Sequence, residues 1–118
     1  MTWQQQIEAK EKLLEPVVKR AIAEVRDAVS ARTPRIREAF SYGAIGIDPK
    51  HLVVWYIFAS DADKALATQS GLANEIELLT RKALRTSGYP EAAVEQIGVS
   101  FASDEEIKRA GGFREFFG

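Results

Sequence analysis

The stretch Leu52-Val53-Val54-Trp55-Tyr56-Ile57-Phe58-Ala59-Ser60-Asp61 decides the fold, because its last four residues recur as Phe101-Ala102-Ser103-Asp104. Each copy ends an apolar, strand-like run and is followed by a helix-like one. Ser at such a junction accepts a hydrogen bond from a free amide of the first helical turn, and an acid beside it complements the helix dipole. Two strands that each hand over to a capped helix predict an α+β chain of the α/β sandwich type. If the strands are parallel, both acidic caps lie at the same end of the sheet, where ligands of open α/β sheets tend to bind.

Outward from this stretch, residues 52–59 are apolar on both faces, as in a central strand covered on two sides. Residues 97–102 form the third strand, with Ile97, Val99 and Phe101 on one side. A first strand is expected at 42–48, joined to the second by a turn at Asp48-Pro49-Lys50-His51. Between strands two and three, helix two starts at Ser60 or Asp61 and ends near Ser87-Gly88, with Pro90 beyond. Its apolar stripe reads Ala62, Ala65, Leu66, Gln69, Leu72, Ala73, Ile76, Leu79, Ala83 and Leu84. Unbroken, this helix would run about 40 Å against about 26 Å for an eight-residue strand, and a break at Ser70-Gly71 resolves the mismatch.

Helix one is expected over residues 3–32, from Ile7, Leu14, Val18, Ala21, Ile22, Val25 and Val29 at three- and four-residue steps. Pro16 predicts a kink or a fresh start, with residues 1–16 as an N-terminal arm. One helical turn fits residues 90–96. Ser103-Asp104-Glu105-Glu106 matches the capping box and opens a short helix that stops at Gly111-Gly112. The aromatic tail, residues 113–118, is expected to dock on the body. The order is αββαβ(α), a three-stranded mixed sheet packed by two main helices in one domain, 1–118.

Composition narrows the function. The chain has 118 residues, is 46% hydrophobic and 28% charged, and carries 16 basic and 17 acidic residues for a net charge of −1. Nucleic-acid binding through bulk charge is disfavoured. There is no cysteine, hence no disulfide, thiolate nucleophile or zinc–thiolate site. No apolar run approaches the roughly 18 residues of a membrane span, and the N-terminus lacks a signal-peptide layout. The expected location is cytoplasmic, with no membrane partner.

Candidate site residues fall into three groups. Asp61, Asp63, Asp104, Glu105 and Glu106 gather at the cap end, as an acidic surface for a protein partner or as plain helix caps. Phe113, Phe116 and Phe117 are candidate apolar anchors. Arg81, Lys82 and Arg85 close helix two, as an anion patch or as complements of the helix C-terminus. His51, the only histidine, sits in a predicted turn. No Gly-x-Ser-x-Gly elbow or phosphate loop is present. Catalytic residues, metal ligands and cofactors are therefore not expected. The stripe on helix one, with Trp3 and Ile7, leaves a homodimer open.

The αββαβ order with a glycine break in the second helix resembles the type II KH arrangement. It is similar in layout to the ribosome-binding factor A family over residues 17–107. Gln69-Ser70-Gly71 stands at the kink, without that family's alanine, and the Gly-x-x-Gly loop of conventional KH domains is missing. That resemblance implies RNA contact along Arg81, Lys82 and Arg85. In size and style the chain also resembles small bacterial immunity proteins, which implies a toxin-like protein partner at the acidic caps and the aromatic tail. The expectation is a non-enzymatic protein-binding module, of inhibitor, immunity or adaptor type. An RNA- or ribosome-associated module is the alternative, and a carboxylate–metal hydrolase the second alternative.

Overall fold

The computed structural model describes residues 2–118. Helix α1 (Trp3–Ala28) leads through a connector, with a cis Thr33-Pro34 peptide, to strand β1 (Glu38–Tyr42). A 3-10 turn (Pro49–His51) precedes β2 (Val53–Phe58), followed by α2 (Asp61–Gln69), α3 (Leu72–Ser87) and the single turn α4 (Glu91–Val94). Strand β3 (Gly98–Ser103), α5 (Asp104–Arg109) and α6 (Phe113–Phe117) complete the chain. The sheet order is β1-β2-β3, with β1 antiparallel and β3 parallel to the central β2. This is the expected α+β class with its three-stranded mixed sheet.

Alternation along the strands separates two faces. Ala39, Val54, Tyr56, Phe58, Val99 and Phe101 turn toward α1 and α3, where they meet Val18, Ala21, Val25, Leu72, Ile76 and Leu84. Within this core the Tyr56 hydroxyl donates to Thr80 Oγ1 (2.7 Å), which donates to the Ile76 carbonyl (2.7 Å). The pair satisfies two polar groups that would otherwise be costly to bury. Burial raises the Tyr56 phenol to about 12. The opposite face carries Phe40, Trp55, Ile57 and Ala102, covered among the described residues by Ile107 and α6.

The break at Ser70-Gly71 is present, and Gly71 takes the left-handed conformation (φ +85°) that a residue with a Cβ resists. Three expectations need correction. The first strand is not at 42–48 but at Glu38–Tyr42. Gly43 turns the chain with φ +125°, and Gly46 lies so close to α1 that a Cβ there would sit 2.2 Å from the Ile7 carbonyl oxygen. The 42–48 segment is thus a turn moulded under α1, with its alternating isoleucines in a connector. Second, Pro16 neither ends nor restarts α1: residues 3–28 form one helix, opened by a Thr2–Gln5 capping box, so the first residues are its continuation and no separate arm. The helix also ends at Ala28, ahead of the expected Arg32. Third, the stripe assigned to helix two does not hold across the break. Ala62, Ala65, Leu66 and Gln69 are exposed and Ala67 is buried, because the left-handed turn at Gly71 resets the rotational phase of α2 relative to α3.

Candidate functional site

The two handovers lie side by side. Parallel pairing sets Phe58 opposite Ser103, so the caps of α2 and α5 meet at the carboxyl end of the sheet. Ser60 Oγ accepts from the Asp63 amide (3.1 Å). Ser103 Oγ accepts from the Glu106 amide (3.0 Å), and Glu106 Oε1 accepts from the Ser103 amide (2.8 Å), which completes a capping box.

The caps are also tied to each other. Ser103 Oγ donates to Asp61 Oδ1 (2.5 Å), and the Asp61 amide donates to Glu105 Oε1 (2.7 Å). Arg109 pairs with Asp61 Oδ2 (2.5 Å), Lys64 with Glu106 Oε1 (2.9 Å), and Arg37 with Asp104 (2.9 Å to Oδ1). The Arg109 guanidinium and the Ser103 hydroxyl hold the Asp61 carboxyl below the usual carboxylate range. Hydrogen bonding to Asp104 raises Arg37, and bonding to Asp61 raises Arg109. The five expected acids therefore come together but are not alike. Asp61, Asp104 and Glu106 are ion-paired, Glu105 accepts from a backbone amide, and the Asp63 carboxylate alone has neither kind of partner among the described residues. The arrangement works as a clasp between the starts of α2 and α5. Among the described residues no group of three or more His, Asp or Glu is placed to hold a metal ion.

The aromatic tail builds a second feature. Gly111 and Gly112, both with positive φ, fold α6 back across the sheet. Phe117 meets Trp55 edge-on at 4.9 Å and Phe40 at 5.0 Å, and Phe116 meets Phe117 at 4.7 Å. Such edge-to-face pairs contribute about 0.5–1.5 kcal/mol beyond burial. Phe116 and Phe117 are thus half-buried, whereas Phe113, 4.5 Å from Phe117, stays 54% exposed. Beyond the reach of α6 the same face presents half-exposed Val53 and Ser100 and a 50% exposed Tyr42. The Trp55 indole Nε1 is buried with no acceptor among the described residues.

The basic group is largely neutralised. Arg81 donates to the Ile97 carbonyl (3.1 Å) and pairs with Glu77 (3.4 Å), and Arg85 pairs with Glu91 and Glu95. Lys82 alone of the three is exposed and without an ion pair among the described residues. His51 lies exposed in the 3-10 turn.

The sequence did not single out Phe40, which shares the aromatic face with Tyr42. Phe40 falls just ahead of the strand expected at 42–48, and the available signal was the aromatic–small alternation Phe40-Ser41-Tyr42, which pairs with Val53-Val54-Trp55.

Fold and site together define a small α+β chain with a clasped sheet end and a half-covered aromatic sheet face. No family model, no curated protein and no solved structure matches this chain. No helix of the described residues is long and apolar enough to cross a membrane.

Proposed function

We propose that the chain is a non-enzymatic protein-binding module, of inhibitor, immunity or adaptor type, that docks its partner on the aromatic face of the sheet. The observation that carries this reading is the half-covered face itself. Phe113 and Tyr42 are each about half exposed beside a well-packed aromatic cluster. Exposed aromatics set on a rigid base are the usual anchors of protein interfaces. The acids at the clasp frame this face rather than form the contact, since most already hold a partner within the chain.

A nucleic-acid role would rest on Lys82, because Arg81 and Arg85 are tied to acids.

The test is site-specific photocrosslinking in cells. A photoreactive phenylalanine analogue replaces Phe113 in one protein and Asp63 in another. Discrete protein adducts from position 113 and none from 63 are expected. Adducts from 63 alone would return the contact to the acidic caps, and nuclease-sensitive adducts from either would favour the RNA-associated alternative.

A further inference from the structure

The two edges of the sheet are protected unequally. Beside β1, Arg26 of α1 donates to the Arg37 carbonyl (3.2 Å), and β1 opens with Glu38. Charges of this kind blunt an edge against pairing with another chain. Strand β3 has no such guard. Gly98-Val99-Ser100-Phe101-Ala102-Ser103 contains no charge and no proline, and its first four residues are half-exposed.

The pairing pattern says which groups are free. In a parallel ladder, alternate residues direct both N–H and C=O to the neighbour. Gly98 N donates to the Leu52 carbonyl (2.9 Å), so Gly98, Ser100 and Ala102 face β2. Val99 and Phe101 face outward. At the strand ends the outward groups are already used: the Ser103 amide by Glu106 and the Ile97 carbonyl by Arg81.

We infer that β3 is a self-association edge, pairing antiparallel with β3 of a second copy about a two-fold axis at Ser100. In this register Val99 lies opposite Phe101 of the partner copy, and Phe101 opposite its Val99. All four outward N–H and C=O groups of each strand are satisfied, with an apolar–aromatic pair on each side of the axis. Ser100 meets its own mate. A three-stranded sheet becomes a continuous six-stranded one through an isologous contact.

The edge is complementary to itself, which favours a second copy over an unrelated strand: the uncharged run Val99-Ser100-Phe101 sets an apolar residue opposite an aromatic one on both sides of the axis, with no like charges facing each other. This edge is separate from the aromatic face, and the inference does not rest on the docking reading.

The absence of native cysteine makes the register directly testable. In a non-hydrogen-bonded antiparallel pair the Cα atoms stand about 4.5 Å apart, within disulfide range. Full-length Ser100→Cys, mildly oxidised, is expected to convert to a covalent dimer, while Ser41→Cys on the other edge strand is not. The unmodified chain is expected to sediment as a dimer in the micromolar range. Val99→Pro removes one outward donor from each copy at a position where an edge strand tolerates proline. With its circular dichroism unchanged, it is expected to weaken the dimer at least about tenfold. A monomeric unmodified chain, Ser100→Cys oxidising no faster than Ser41→Cys, or a folded Val99→Pro that dimerises as before would each overturn the inference.

Discussion

The same tetrapeptide, Phe-Ala-Ser-Asp, stands at 58–61 and at 101–104, yet the two copies do different work. At the first, Phe58 is fully buried, Ser60 makes one cap bond, and Asp61 reaches across to Ser103 and Arg109. At the second, Phe101 is half-exposed near an open edge, Ser103 is fully buried in a capping box, and Asp104 turns to Arg37. Local chemistry is therefore shared: each Ser caps a helix because its position demands an acceptor for free amides. The tertiary role is set by strand position, since β2 is central and β3 is an edge.

The largest contrast is expected at the phenylalanines. Phe58→Ala opens a cavity in a site with no exposure and should cost about 3–5 kcal/mol in urea unfolding. Phe101→Ala, already partly in water, should cost about half of that. Equal losses would mean that the edge position does not matter.

The serines should differ next. Ser103→Ala removes a fully buried cap and the donor to Asp61, for an expected cost of about 1–2 kcal/mol. Ser60→Ala removes a single half-exposed cap bond and should cost about 0.5–1 kcal/mol. A reversed order would show the capping box to be incidental.

A third contrast is in pH dependence. The folded Asp61 carboxyl titrates below its unfolded value, so its contribution to stability is complete above the unfolded pKa of about 3.9. That contribution is lost as pH falls through the lower folded value. Thermal unfolding followed across this acidic window should show a shallower fall in Tm for Asp61→Asn than for the unmodified chain. Asp63→Asn, which removes an acid with no ion pair, should change stability by only a few tenths of a kcal/mol through the helix dipole.

Much of the fold was legible because it rests on local rules. The Ser-x-x-Glu box at 103–106, the glycine break at 71 and the uncharged run of β2 each follow from nearest-neighbour chemistry. The failures share one cause, which is contact between distant segments. Gly46 and its isoleucine neighbours read as a strand, since nothing local says that the Ile7 backbone lies against them. Leu66 read as core because the phase of α3 was carried through a left-handed turn that resets it. Trp55 read as covered on both sides, whereas the cover on its side among the described residues is Ile107 and a five-residue aromatic helix. The acids were identified by position, but pairing with Arg37, Lys64 and Arg109 depends on sequence separations that no local pattern records.

The most direct test of the clasp is a double-mutant cycle between Ser103→Ala and Asp61→Asn, read by urea unfolding at neutral pH. If the two caps stabilise one another, the double variant loses clearly less than the sum of the single losses. Strictly additive losses would mean that the handovers are two independent caps, and would return Asp61 to the surface as a candidate contact.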